Sequence, residues 1–450
     1  GVIPLIQHHY DIKDAETAAI MTASSIMHTT SLAFVWLFGD IFHRRTLFLL
    51  SVSCWIFFNV LSLILGSTSF IILVLFRAMG AAASSIFVIL VPVILADLLH
   101  DRELGMALMC LSVSDIASIM LTGIVSSWIV TITIPWQSGM LAATILAILP
   151  LVVLFCLRNN IRNVQKDDHK QGIRRTFSSA FGMLAVKSYL FITAEASLSS
   201  LHRDAENFWF PSVYLLAYTN TPEIFFGLSY PTIIALNSGV MLAGTLIGVP
   251  AVLWIAQSWR YGTGPCSSRA SLRAYPIVTC IGAVLNIVVF VISIVIMNKS
   301  FIATLVNNFF IGFVKSNGLA IGQQILFAVI PSSSRAAAVA LRQLISGVIG
   351  IPSAQIVGII SDSIRGDSMQ PDDRFHAYQL VLLSTSIFMV LGVVCHVLLI
   401  VYYPGDCEKA EEKDNEEQKV DDERTLLIPK DLTDSIVDVS VRSRTISLHS

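Results

Sequence analysis

The chain has 450 residues, 54% hydrophobic and 13% charged, against roughly 25% charged in an ordinary soluble domain. That composition argues against a soluble enzyme, and a net charge of -2 supplies no basic field for nucleic acid. Seven cysteines stand far apart with no CxxC pair, which reads as small core residues; neither a metal site nor a cofactor is expected.

A helix crossing the hydrocarbon core takes about 20 mostly apolar residues, because no backbone polar group can stay unpaired there. Eleven such runs follow one another, near 17–38, 46–66, 69–96, 104–131, 136–157, 188–218, 230–256, 275–297, 301–330, 336–361 and 376–403. Between the first two stands Gly39-Asp40-Ile41-Phe42-His43-Arg44-Arg45. A carboxylate and guanidinium at helix ends can pair across a packing interface, so Gly39, Asp40, Arg44 and Arg45 are read as a conformational gate. Charge inside the bilayer is expensive and asks for a reason. Arg77 lies in the third run and Asp115 in the fourth.

Residues 158–187 form the one long connection and carry seven basic residues. If that linker is cytosolic, its side of the membrane holds 15 Lys and Arg and the opposite side four, Lys13, Lys299, Arg365 and Arg374, which fixes the orientation. The amino terminus then lies outside the cytosol and the carboxyl tail inside. An odd number of spans with this orientation leads us to expect a further helix before Gly1, making six plus six.

The run after the linker is the most informative. At about 100° per residue, Glu195, Ser199, His202, Arg203, Glu206 and Asn207 share one sector of the wheel, and Asp204 points away from it. His202 with Glu206 and Arg203 with Glu206 have the spacing of intrahelical pairs. The stripe is therefore either a self-compensated cluster, a locally unwound helix, or a substrate or proton site; Asp115, His202 and Glu206 are the proton-coupling candidates. Trp209-Phe210-Pro211 reads as an aromatic rim. In the run at 301–330, Asn308, Gly312, Lys315 and Gly322 lie near one face, small residues around one ammonium. His28 and His396 read as packed histidines.

From Asp406 the chain turns highly charged: 20 of its 60 Asp, Glu, Lys and Arg residues lie beyond that point. Disorder is expected for 404–450. Asp422-Glu423-Arg424-Thr425-Leu426-Leu427-Ile428 fits an acidic dileucine signal in two registers, Asp422 with Leu426 and Leu427, Glu423 with Leu427 and Ile428. Such a signal needs a flexible cytosolic segment and a clathrin adaptor.

Two six-helix halves joined by a long basic loop resemble the major facilitator superfamily. The loop at Gly39 resembles that superfamily's motif, with Trp36 and His43 where glycines stand and Ile41 where an arginine stands. Longer strings narrow the resemblance. Gly1-Val2-Ile3-Pro4-Leu5-Ile6-Gln7 with Ile12 and Asp14, Arg77 with Pro92 and Ala96-Asp97-Leu98, and Val329-Ile330-Pro331 through Arg335, Gln343, Ser346, Gly350, Gly358 and Ser361-Asp362 are similar to Spinster-family lipid transporters. The resemblance implies an all-α integral membrane fold and an amphipathic substrate, a lysophospholipid or a sphingosine-type lipid. It also implies a departure: Ser84 occupies the place of that family's Glu in span 4, with Asp115 a possible replacement.

The expected organisation is an amino-terminal half at 1–157, a basic linker at 158–187, a carboxyl-terminal half at 188–403 and the tail. The expected function is secondary active transport of an amphipathic lipid across the membrane by alternating access, with proton coupling open. Arg77, Ser84, Glu195, His202, Arg203, Glu206 and Lys315 are the candidate substrate-binding residues, and Arg77, Arg203 and Lys315 together form a set able to hold an anionic head group. A facilitator of small organic anions or sugars, and a receptor or scaffold without transport, are the competing readings. Delivery to lysosomes or late endosomes is expected from the dileucine signal, with the plasma membrane the alternative; no enzyme or nucleic-acid motif is present.

Overall fold

The computed structural model describes residues 3–38, 44–98, short stretches between 106 and 145, and 182–427 apart from 264–269, 316, 332–333, 367 and 369. Every regular element among them is a helix. In chain order they are α1 (Ile3–Tyr10), α2 (Asp14–Phe38), α3 (Arg44–Ile64), α4 (Phe70–Leu98), α5 (Lys187–Asn220), α6 (Tyr230–Tyr261), α7 (Ala274–Ile296), α8 (Phe301–Lys315), α9 (Asn317–Val329), α10 (Arg335–Gly350), α11 (Ser353–Arg365) and α12 (Pro371–Leu427). Seven of the described helical segments are long and apolar enough to cross a membrane, and the chain is a multi-pass membrane protein. The runs expected at 104–131 and 136–157 are described only in fragments, and Asp115 and linker residues 158–181 lie outside the described residues.

α5 is not among the seven, although 34 residues give it a length of about 51 Å, more than a bilayer core. Its polar and charged residues lower its hydropathy, and burial of several of them inside the bundle resolves the conflict. Ser197, Ser200, His202, Glu206 and Ser212 are all buried. α12 packs along α5, with α7 beside it. Two apolar clusters hold this half together. One gathers Trp209, Phe225, Phe290, Phe301 and Tyr378, and the other Tyr189, Ile192, Ile325, Leu399 and Tyr403. Trp209 is no rim residue: it is fully buried, and its Nε1 donates to Ala354 O at 3.0 Å.

α6 and α8 approach backbone to backbone. A Cβ on Gly312 would lie 2.1 Å from Met241 O, and one on Gly244 2.1 Å from Phe309 O, so only glycine permits this distance. The expected run at 336–361 is two helices, separated by Ile351 and Pro352. Proline has no amide hydrogen to continue the ladder, and the chain restarts at Ser353.

The tail departs from expectation as well. Instead of disorder from 404, α12 continues to Leu427. Glu, Lys, Ala and Gln are strong helix formers, and Lys409 and Glu412, and Glu416 and Lys419, stand three residues apart, a spacing that supports a helix. The extension begins anchored: Cys407 and Ala410 are buried, and Asp406 Oδ2 accepts the Ser188 amide at the start of α5 at 2.8 Å.

The amino-terminal helices meet the carboxyl-terminal half along α2, which packs on α10 and α11. Leu32 and Val35 pack with Ile89 of α4 and Ala340 of α10. At the other end Gln355 Nε2 donates to Ala15 O at 2.9 Å, and the Ala15 amide donates to Asp362 Oδ2 at 3.1 Å. Gly358 makes the approach possible, since a Cβ there would lie 3.1 Å from Asp14 O.

Candidate functional site

The α5 stripe brings Glu206 and His202 into the bundle, where close α6–α8 packing delivers Lys315. Lys315 Nζ lies 2.5 Å from Glu206 Oε2, and the carboxylate side chain is only 3% exposed. His202 Nε2 lies 3.5 Å from the same oxygen, and its Nδ1 lies 2.9 Å from Thr385 Oγ1 on α12. Phe290 stacks edge-on against the imidazole at 4.4 Å. The ammonium and carboxylate offset each other, which is the condition for keeping either of them inside a membrane.

The spacing-based pair of Arg203 with Glu206 does not form. Arg203 Nε leans toward Asp204 Oδ1 at 3.8 Å, and its side chain is 48% exposed. A step of three residues leaves Arg203 about 60° away around the helix from Glu206, and Lys315 from α8 has already taken the carboxylate. Asp204, off the polar sector of the wheel, sits where Gly350 leaves room at the end of α10: a Cβ on Gly350 would meet Asp204 Oδ2 at 3.0 Å.

Glu195 belongs to a second group. Ser199 Oγ donates to Glu195 Oε1 at 2.7 Å, and His396 Nε2 lies 3.8 Å from that oxygen. His396 Nδ1 lies 3.4 Å from Thr279 Oγ1 on α7. His396 thus faces a carboxylate and a hydroxyl and is not simply packing. Arg342 of α10 is close enough to Glu195 to act on it electrostatically.

Arg77 stands apart from both groups. Its Nη1 donates to Asn59 Oδ1 of α3 at 3.1 Å, while its Nε is buried without a hydrogen-bond partner among the described residues. Ser84 donates to Ala81 O of its own helix at 2.9 Å, as hydroxyls inside helices commonly do. Arg77, Arg203 and Lys315 thus have three different partners, Asn59, Asp204 and Glu206. Gly39 and Asp40 lie outside the described residues; Arg44 and Arg45 open α3, with their side chains undescribed. Asp422, Glu423, Leu426 and Leu427 occupy the last turns of α12, and Ile428 lies beyond the described residues.

Two constellations went unread in the sequence. Asn308 Nδ2 donates to Tyr214 Oη at 2.6 Å and to Asn237 Oδ1 at 2.9 Å, and Ser293 Oγ donates to Asn308 Oδ1 at 3.3 Å, so one amide ties α5, α6, α7 and α8. No spacing within one helix announces such a knot. The second lies where α2 meets the carboxyl-terminal half. Asp14 is fully buried; Arg374 Nη2 of α12 lies 2.6 Å from its Oδ1 and Arg365 Nη2 of α11 3.4 Å from its Oδ2, with Gln7 of α1 also donating to it. Arg365 also pairs with Asp362 at 2.5 Å. The signal was present: Arg365 and Arg374 are two of the four basic residues that the loop-charge count assigned to the non-cytosolic side, flanking one short loop. Together these contacts close the halves against each other at that face.

A family model described as Major Facilitator Superfamily matches residues 1–303. The sphingosine-1-phosphate transporter SPNS2 of Xenopus tropicalis is 22% identical over 425 residues, covering 91% of this chain and 79% of that protein. SPNS2 of Mus musculus is 24% identical over 430 residues, covering 92% and 76%. Among solved structures, a bacterial homolog of the human lysosomal transporter Spinster, in an inward-facing and unoccupied conformation, superposes with a TM-score of 0.64 at 14% identity, covering 90% of this chain and 93% of that one.

Proposed function

The chain belongs to the major facilitator superfamily, and from that premise we propose that it moves an amphipathic lipid with an anionic head group, a lysophospholipid or a sphingosine-type lipid, by alternating access. It is a transporter of Spinster type, not an enzyme. The observation that carries the lipid reading is the buried Lys315–Glu206–His202 cluster. Lys315 is 23% exposed while its partner is 3% exposed, so the ammonium keeps an open side for a second anion. Arg203, half exposed and held only at 3.8 Å, acts like Lys315 on His202 electrostatically and is the second cation within reach. Arg77, with its unpartnered Nε, is the amino-terminal-half group that would complete the set as the halves rock. The two SPNS2 proteins are named for a phosphate-bearing lipid, which agrees with a cationic site.

The half boundaries proposed are 1–157 and 188–403, with the linker and tail cytosolic, and the dileucine segment recruiting a clathrin adaptor for delivery to lysosomes or late endosomes. Proton coupling through Glu206 and His202 accompanies the lipid. Purified protein in liposomes, offered labelled sphingosine 1-phosphate, lysophosphatidylcholine and glucose in turn, tests the reading. Uptake of either lipid and not of glucose is the expected result. Uptake of glucose alone would replace the lipid by a sugar, and uptake of none would favour a receptor without transport.

A further inference from the structure

Glu206 and Glu195 stand eleven residues apart on α5, about three turns and ~16 Å along one stripe. Glu195, Ser199, His202 and Glu206 follow at steps of four, three and four. The surroundings of the two carboxylates repeat. Glu206 faces the imidazole of His202, which in turn meets the hydroxyl of Thr385. Glu195 faces the imidazole of His396, which meets the hydroxyl of Thr279. Each set has its cation, Lys315 for Glu206 and Arg342 for Glu195. The remaining groups facing them are Tyr214 near Glu206, Cys395 near Glu195, and Arg203 near both His202 and Arg342.

The second set lies between the two apolar clusters of this half. On α5 it falls between Ile192 and Ala205, on α12 between Met389 and Leu399, and on α7 between Tyr275 and Phe290. Glu195 is seven residues, about 10 Å, from Ser188, whose amide is capped by Asp406 at the face from which α12 extends. The opposite face is the one closed by Asp14, Arg365 and Arg374. A carboxylate–imidazole pair inside protein exchanges a proton between its members without changing its net charge.

We infer that Glu195, His396 and Thr279 form a proton-exchange station that passes protons between the Glu206–His202 set and the face from which α12 extends. A proton entering from that face binds Glu195 or His396. Ser199 then donates its hydroxyl proton onward and takes one from Glu195, and the step of one turn to His202, ~5–6 Å between β-carbons, is the reach of one bridging water. From His202 Nε2 the proton reaches Glu206 Oε2; the neutralised carboxyl releases Lys315, whose charge becomes available to an anionic head group. Departure of the head group reverses each transfer. This assignment rests on the transport reading above and adds residues that the reading does not need.

The test uses the full chain in liposomes with labelled sphingosine 1-phosphate and two readouts, exchange without a gradient and accumulation driven by an imposed pH gradient. The wild type is expected to show both. His396→Gln keeps a hydrogen-bonding group opposite Glu195 but carries no titratable nitrogen; it should retain exchange within about 2-fold and lose gradient-driven accumulation by ~10-fold or more. Thr279→Val should lower accumulation in the same sense. Parallel loss of exchange, accumulation and melting temperature in both variants would mean a structural role and overturn the station. Wild-type exchange indifferent to the pH gradient would also overturn it while leaving lipid transport standing. No exchange of this lipid or of lysophosphatidylcholine would remove the transport reading and the station with it.

Discussion

At the residue scale the decisive fact is which partner a buried charge finds. Spacing within α5 offered Arg203 to Glu206, yet the carboxylate pairs with Lys315 at 2.5 Å, because a helix surface and its neighbours compete for the same group and the neighbour here is held closer. Removing one member of a buried pair strands the other, which typically costs about 3–5 kcal/mol, whereas removing both can be nearly neutral. Lys315→Met and Glu206→Gln should therefore each lower the melting temperature of the detergent-solubilised protein, and the double variant should recover most of the loss. Arg203→Gln, by contrast, removes a half-exposed group and should melt close to wild type. A double variant no more stable than either single one would show that the two charges do not compensate each other.

At the element scale, helix distances and helix ends set the site. α6 and α8 touch through Gly244 and Gly312, and their separation decides how far Lys315 reaches toward α5. Gly312→Leu should push the helices apart and destabilise by about 1–3 kcal/mol or more, read as lower expression and melting temperature. Gly182→Ala, where an added Cβ meets nothing within 4 Å, is the matched control and should be silent. The helix end of greatest consequence is that of α2, where Asp14 binds arginines from α11 and α12. Asp14→Asn keeps the shape and removes the charge that both guanidiniums answer. In a background free of native cysteines, Thr22→Cys should then react with a membrane-impermeant thiol reagent several-fold faster than in the Asp14 parent, by weakening the closed arrangement. Equal labelling rates would show that Asp14 does not hold that face shut.

At the scale of the whole molecule, orientation and delivery join the fold to its place in the cell. If the tail is cytosolic and the dileucine signal acts as proposed, Leu426→Ala with Leu427→Ala should shift the protein from lysosomes toward the cell surface, seen by surface biotinylation. Because those residues lie in the last turns of α12, adaptor binding would require the turns to unwind, and a proline at Thr425 should strengthen internalisation. Unchanged distribution of the alanine variant would remove the signal. The sequence by itself determined the all-helical membrane class and the superfamily, because hydrocarbon thickness forces long apolar runs that composition cannot hide. It also marked the α5 stripe, since helical periodicity alone places Glu195, Ser199, His202 and Glu206 together. Only the tertiary structure decided that Lys315 and not Arg203 neutralises Glu206, that His396 faces Glu195, that Asn308 ties four helices, and that Asp14 joins two halves through residues 351 and 360 positions away. Such pairings depend on the rotation and separation of packed helices, which arise from interdigitated side chains and small-residue contacts of segments remote in sequence, and no periodicity within a single helix records them.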